Sequence, residues 1–178
     1  MSSEHKSFVF DYEQFELYIK RKLEISLETN ETQYLEDFIM NNLDYLRDPY
    51  KGEFLPSGWM EMLENKDVHE YGDFALTKFY DPSEDIGLGY RWTEIQNILT
   101  NEIKSSLPIL GFPIGKSNNY FDPGKIGSYF QDFNLVIENR EVISNLVRQK
   151  PEYSDILEPV IVMFSHTTTF RKGLYISF

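Results

Sequence analysis

The sequence predicts a single α+β domain in which a central, mostly antiparallel sheet is decorated by several helices. Segments with apolar residues at helical spacing occur beside segments that alternate apolar and polar residues, as strands do. The 178 residues show no internal repeat and fit one domain over residues 1–178.

Two helices are predicted near the start of the chain. Apolar residues recur at helical spacing over 11–24, with Asp11 as the expected N-cap. Asn30 is expected to open a second helix, because Gln33 follows it at capping-box spacing. Arg47-Asp-Pro49 ends this second helix.

The middle of the chain is predicted to pass from strand to helix. Phe74 to Tyr80 is rich in aromatic residues and is predicted to be a strand that Asp81-Pro82 closes. A helix is then expected from Thr93 to Leu107, because Pro108 stops it.

The remaining segments are a long loop and further regular elements. Residues 108–127 carry three prolines and four glycines, which predicts an ordered loop or two short strands joined by turns. A helix is expected over 138–149, and residues 159–164 fit either a strand or a helix face. Residues 173–178 alternate as a terminal strand should.

The net charge is confined to the first half of the chain. Residues 1–89 hold 20 Asp and Glu against 8 Lys and Arg, whereas residues 90–178 hold 9 of each. An acidic field repels nucleic acid and anionic lipid, and it attracts a basic protein surface over a long range. A basic protein is therefore the expected partner.

The segment from Asp67 to Trp92 interleaves charge with aromatic residues. Its six acids, two bases and six aromatics resemble the composition of a recognition surface. The alternative, which composition alone favours, is ordinary core with solvated acids.

Several classes of protein are excluded or disfavoured by composition. The chain has no Cys, so it can form neither disulfides nor thiolate zinc sites. It shows no signal peptide and no apolar run long enough to span a membrane, so we expect a soluble, cytoplasmic protein. Bases could stack on the aromatics, but the cationic groove that such binding requires is missing.

Two glycine motifs resemble nucleotide-binding loops without matching them. Gly111 to Ser117 has three residues between its glycines where a phosphate-binding loop needs four. Gly87-Leu-Gly89 is too short for a dinucleotide loop. Its glycines are expected instead to let the backbone adopt conformations that other residues disfavour.

The three histidines give little support for catalysis. His5 is expected in a mobile terminus, and His166 lacks a nucleophile motif. His69 could join nearby carboxylates in a metal-dependent hydrolase, but its spacing matches no helical zinc motif. We therefore expect no enzyme activity, no metal and no cofactor, with the hydrolase and a non-enzymatic acidic adaptor as alternatives.

The chain resembles the immunity proteins of bacterial contact-dependent growth inhibition. The resemblance runs nearly end to end and is carried by Tyr71 to Pro82, Asp85 to Gly89, Ile109 to Gly115, Tyr120 to Phe130 and Lys172 to Phe178. The group that the chain resembles is paired with zinc-dependent nuclease toxins of the DNase type.

The resemblance implies a cytosolic α+β protein that neutralises the C-terminal toxin domain of a large surface-delivered effector. It also implies strand addition of a toxin hairpin at an exosite, with no direct contact to nucleic acid or membrane and no catalytic residues to transfer. The sequence supplies candidate partner-binding residues: the carboxylates Asp73, Asp81, Glu84, Asp85 and Asp122, and the aromatics Phe79, Tyr80, Tyr120 and Tyr129.

Overall fold

The computed structural model describes residues 3–178, and the predicted α+β class is confirmed. A three-stranded antiparallel sheet lies at the centre of the protein. Its central strand, β5, pairs with β1 on one side and with β4 on the other. The five strands of the described residues are β1 (Lys6–Phe10), β2 (Gly115–Lys116), β3 (Asn119–Tyr120), β4 (Ser128–Gln131) and β5 (Gly173–Ser177).

The sheet separates two hydrophobic cores. Tyr175 of β5 enters the first core, whereas its neighbours Leu174 and Ile176 enter the second. This alternation follows from the pleat, which points successive side chains to opposite faces, and it confirms the predicted terminal strand. The first core draws most of its residues from the first half of the chain, so the acidic half lies mainly on one face of the sheet.

Seven α-helices of the described residues pack on the two faces of the sheet. They are α1 (Tyr12–Phe15), α2 (Arg21–Thr29), α3 (Gln33–Asn41), α4 (Val68–Leu76), α5 (Trp92–Ile103), α6 (Phe133–Gln149) and α7 (Ser154–Thr169). The first four supply side chains to the first core, and the last three supply side chains to the second.

The first predicted helix is confirmed, and it is longer than expected. The carboxylate of Asp11 accepts a hydrogen bond from the Gln14 N–H, as an N-cap does. A π-helical turn over Glu16–Lys20 joins α1 to α2. Asn30 does not open the next helix, because it adopts a left-handed conformation with φ of 60° and ends α2.

The predicted strand over Phe74 to Tyr80 is wrong. Helix α4 occupies the first three residues of this segment and ends at Leu76, and the remaining four residues form turns. Asp67 caps α4 by accepting the Glu70 N–H at 2.9 Å. Gly72 lies within the helix where a Cβ would come within 2.7 Å of the Phe121 ring. The helix therefore packs closely against the segment that follows β3.

The helices predicted in the second half of the chain agree with the structure. Helix α5 and the last two-thirds of α6 lie where the sequence placed helices, and residues 159–164 belong to α7. The 108–127 segment contains the short hairpin of β2 and β3, which agrees with the second of the two predicted alternatives, two short strands joined by a turn. Across residues 3–178, no helix has both the length and the apolar character needed to cross a membrane.

His5 is buried, contrary to the expectation of a mobile terminus. Its Nδ1 accepts the Leu88 N–H at 3.2 Å, and its Nε2 lies 2.7 Å from the Ile109 carbonyl oxygen. Gly87 allows this contact, because a Cβ there would collide with the His5 carbonyl. His5 thus joins the start of β1 to two loops that are far away in sequence.

Candidate functional site

A large acidic groove lies between the N-terminal end of α4 and the β2–β3 hairpin. Its volume is about 680 Å³. Tyr50, Met62 and Tyr120 project into it as exposed apolar surface. We define the acidic groove by the five carboxylates that line it, Asp48, Glu64, Asp67, Glu70 and Asp122.

Backbone hydrogen bonds hold most of these carboxylates in place. Glu70 accepts the N–H groups of residues 64, 65 and 66 at 2.7 to 2.8 Å, which fixes the loop before α4. Asp122 accepts the N–H groups of Ile126 and Gly127. Asp48 accepts those of Tyr50 and Lys51. The groove is therefore built by turns whose geometry depends on the acids themselves.

The negative charge of the acidic groove is not neutralised by the described part of the chain. The ion pairs found within residues 3–178 involve none of its five carboxylates. Lys125 is the lysine that lines the groove. A concave surface with unpaired charge of one sign concentrates its field and attracts a cationic ligand or protein surface.

His69 has a structural role at the floor of this groove. Its Nδ1 accepts the Asp122 N–H at 3.1 Å, so its Nε2 carries the proton that reaches Asn119 Oδ1 at 2.9 Å. The Asn119 amide in turn donates to the Leu27 carbonyl at 2.7 Å. This chain of hydrogen bonds attaches the hairpin to α4 and α2.

The hydrolase alternative would require carboxylates that converge on His69. Among residues 3–178, no three His, Asp or Glu side chains come close enough together to hold a metal ion. Both nitrogens of His69 are also engaged in the hydrogen bonds described above.

The edge of β3 offers backbone groups at the wall of the acidic groove. The Phe121 N–H bonds inward to the Ile114 carbonyl at 2.8 Å, so by alternation the peptide groups of Tyr120 point away from β2. The Asp122 N–H also points to that outer side, where His69 accepts it. Tyr120 itself is 42% exposed.

The two flanks of the central sheet are partly covered. On β1, the Ser7 carbonyl accepts the Ile86 N–H, and the Ser7 N–H donates to Asp85. On β4, Phe130 exchanges two backbone hydrogen bonds with Phe112. Strand addition at either flank would displace these contacts.

A smaller, more enclosed cavity adjoins the acidic groove, and Tyr50 and Pro123 line both. Its volume is about 200 Å³, and Asp73 lies in its wall with Tyr80 and Tyr175. We call it the Asp73 cavity. Burial raises the pKa of Asp73 to about 7, which the nearby negative charges reinforce and the Tyr50 hydroxyl opposes.

The structure brings five of the nine predicted partner-binding residues to these two adjoining cavities. Tyr120 and Asp122 line the acidic groove, whereas Asp73, Tyr80 and Asp85 line the Asp73 cavity. Asp73 and Tyr80 are buried, at 6% and 8% exposure, so a partner could reach them only through the cavity.

The other four predicted residues lie elsewhere. Phe79 is packed in the first core and is not a surface residue, because its ring contacts those of Phe10, Phe15 and Phe38. Asp81 and Glu84 line a separate cleft, where Asp81 lies 3.9 Å from the Arg47 guanidinium. Tyr129 is half-buried against the second core, beyond the sheet.

Sequence reasoning missed Asp48, Tyr50 and Glu64, which line the acidic groove. The signal available was Asp48-Pro49-Tyr50, a turn sequence with an aromatic residue that is 78% exposed in the structure. Nothing in the local sequence indicates that this turn lies beside Asp122.

Comparison of the chain with protein-family models, with curated proteins and with solved structures found no match.

Proposed function

We propose that this protein is a cytoplasmic immunity protein that binds and neutralises a basic nuclease toxin domain of a contact-dependent growth inhibition effector. The observation that carries the proposal is the acidic groove, whose five carboxylates have no ion-pair partner within residues 3–178. The family resemblance of the sequence supplies the class of partner.

The proposed contact combines charge with backbone pairing. A basic hairpin of the toxin would enter the acidic groove and pair with the outer edge of β3 at Tyr120. Tyr50 and Tyr120 would supply aromatic contact area, and the carboxylates would select a basic partner. The toxin would be bound at an exosite, and this chain would contribute no catalytic group.

The proposal requires a neighbouring gene for a large effector with a nuclease-like C-terminal domain, and the test uses that domain. We expect the protein to form a stable complex with that domain, to suppress its nuclease activity and to protect growing cells that express it. The variant Glu64→Lys should weaken this protection, because it reverses a charge in the groove.

The matched control is Glu158→Lys, which makes the same charge change at an exposed position of α7. It should protect as the wild-type chain does. Equal loss of protection in both variants would contradict the placement of the site. Binding to unrelated basic proteins with no effect on the nuclease would instead support the acidic adaptor.

A further inference from the structure

The Asp73 carboxylate lacks the partner that a buried charge requires. Asp73 is 6% exposed, and none of the ion pairs within residues 3–178 includes it. A charged carboxylate away from water is costly unless a cation or several hydrogen bonds compensate it. The Tyr50 hydroxyl lies near enough to oppose the rise in the pKa of the Asp73 carboxyl, and burial outweighs it.

Aromatic rings form the walls around this carboxylate. The Tyr80 ring lies 5.0 Å from that of Phe8 and 5.2 Å from that of Tyr175, centroid to centroid. Burial raises the pKa of both Tyr80 and Tyr175 well above the ordinary value, so their hydroxyls stay protonated and neutral. Such rings attract a cation through their faces without adding charge of their own.

The cavity also has a suitable size and a firm rim. Its 200 Å³ corresponds to about seven water molecules at about 30 Å³ each. Three prolines, Pro49, Pro82 and Pro123, stand among its lining residues and restrict backbone movement there.

We propose that the Asp73 cavity binds one alkylammonium group, either the end of a lysine side chain or a free amine. Asp73 is its counter-charge, and Phe8, Tyr80 and Tyr175 enclose it. Capture of a lysine from the toxin rests on the proposed function, whereas binding of a free amine does not depend on it.

Ammonium binding at this site competes with protonation of Asp73. The charged and titratable groups around Asp73 come from every element that surrounds it: Lys6 of β1, Asp48 and Tyr50 of one loop, Glu70 of α4, Tyr80 and Asp85 of a second loop, and Tyr175 of β5. Because the pKa of Asp73 is about 7, affinity should fall about tenfold from pH 8 to pH 6.

The test is a titration with n-butylammonium at constant ionic strength, followed by NMR of the Tyr80 and Tyr175 ring signals. We expect saturable shifts for the wild-type chain at pH 8 and at least tenfold weaker binding for Asp73→Asn. The control Asp155→Asn makes the same chemical change at an exposed position of α7 and should bind as the wild type does. Neutral n-butanol should give no saturable shift.

Two probes distinguish the sources of the ammonium group. Binding of Nα-acetyl-lysine methylamide as well as n-butylammonium would indicate a lysine side chain, and binding of n-butylammonium alone would indicate a free amine. Equal affinity of Asp73→Asn and Asp155→Asn would overturn the proposal. That result would not contradict the proposed toxin binding. Conversely, a protein that binds n-butylammonium but no toxin would contradict the proposed function and would still support ammonium binding in the Asp73 cavity.

Discussion

At the scale of single residues, Asp73 makes stability depend on pH in the direction opposite to that of most carboxylates. Its pKa is raised from 3.8 to about 7, so the folded protein binds a proton more readily than the unfolded chain does. The free energy of unfolding should therefore rise as the pH falls from about 7 towards 4.

The variant Asp73→Asn removes this buried charge. We expect it to be more stable than the wild type by about 1 to 3 kcal/mol at pH 8.5, since each pKa unit corresponds to about 1.4 kcal/mol and the buried amide recovers less than all of it. The difference should shrink towards pH 5. Urea unfolding at the two pH values measures it, and a difference independent of pH would contradict the burial argument.

His5 should make stability depend on pH in the direction opposite to that of Asp73. Burial lowers its pKa from 6.5, so the folded protein keeps it neutral while the unfolded chain takes up a proton. Its contribution to stability is present above pH 6.5 and is lost as the pH falls below that value, by at most about 1.4 kcal/mol per pH unit.

The variant His5→Gln isolates this contribution. It should be less stable overall, because the contacts with Leu88 and Ile109 are weakened. Its free energy of unfolding should fall less steeply than that of the wild type between pH 6.5 and pH 5. Parallel curves for the two proteins would show that His5 does not titrate on unfolding.

At the scale of elements, Gly72 of α4 provides a test of close packing. An Ala at this position would favour the helix intrinsically by about 1 kcal/mol. Its Cβ would nevertheless lie 2.7 Å from the Phe121 ring and 3.1 Å from a Leu23 methyl group. We expect Gly72→Ala to destabilise the protein by about 1 to 3 kcal/mol, because overpacking outweighs propensity.

Thermal unfolding of Gly72→Ala should be compared with that of Asn101→Ala. Asn101 is an exposed residue of α5, so its replacement should leave stability unchanged or slightly raised. A gain in stability for both variants would mean that α4 can move away from Phe121 at no cost.

The same helix shows where prediction from sequence failed. Most of α4 is buried, including six consecutive residues from Tyr71 to Leu76. A helix without an exposed face lacks the 3.6-residue pattern, so the aromatic-rich run that begins within α4 at Phe74 indicates a strand by its composition. Helices α5 and α6 keep a polar face, and their positions were predictable from it.

The candidate site was predictable only in part, for a different reason. Tyr120 and Asp122 belong to a turn-rich segment that composition identifies. The acidic groove also needs residues 48, 64 and 70, which reach Asp122 only through the packing of α4 against the hairpin. Contacts between residues so distant in sequence leave no local pattern.

At the scale of the whole molecule, the acidic half of the chain and the balanced half pack mainly on opposite faces of the sheet. The field is therefore directional, and it should orient a basic partner before contact. We expect the association rate with the proposed toxin domain to fall steeply between about 50 mM and about 500 mM salt, while the dissociation rate changes little.

Glu64→Lys should slow association mainly at low salt, and Glu158→Lys should not. Tyr120→Ala should instead speed dissociation, because it removes aromatic contact area at the edge of β3. Surface plasmon resonance separates the two rates. An association rate that does not change with salt would contradict steering by the acidic face.

The pairing of Lys6 with Ser177 has a consequence for how the chain folds. Within residues 3–178, strand β5 alone joins β1 to β4 in the central sheet, so forming the sheet requires a loop closure that spans most of the sequence. Such distant pairing costs loop entropy before any contact compensates it, which slows folding. On the ribosome, β1 would remain unpaired until residues 173–177 emerge, and the binding proposed above would begin only after the two strands have paired.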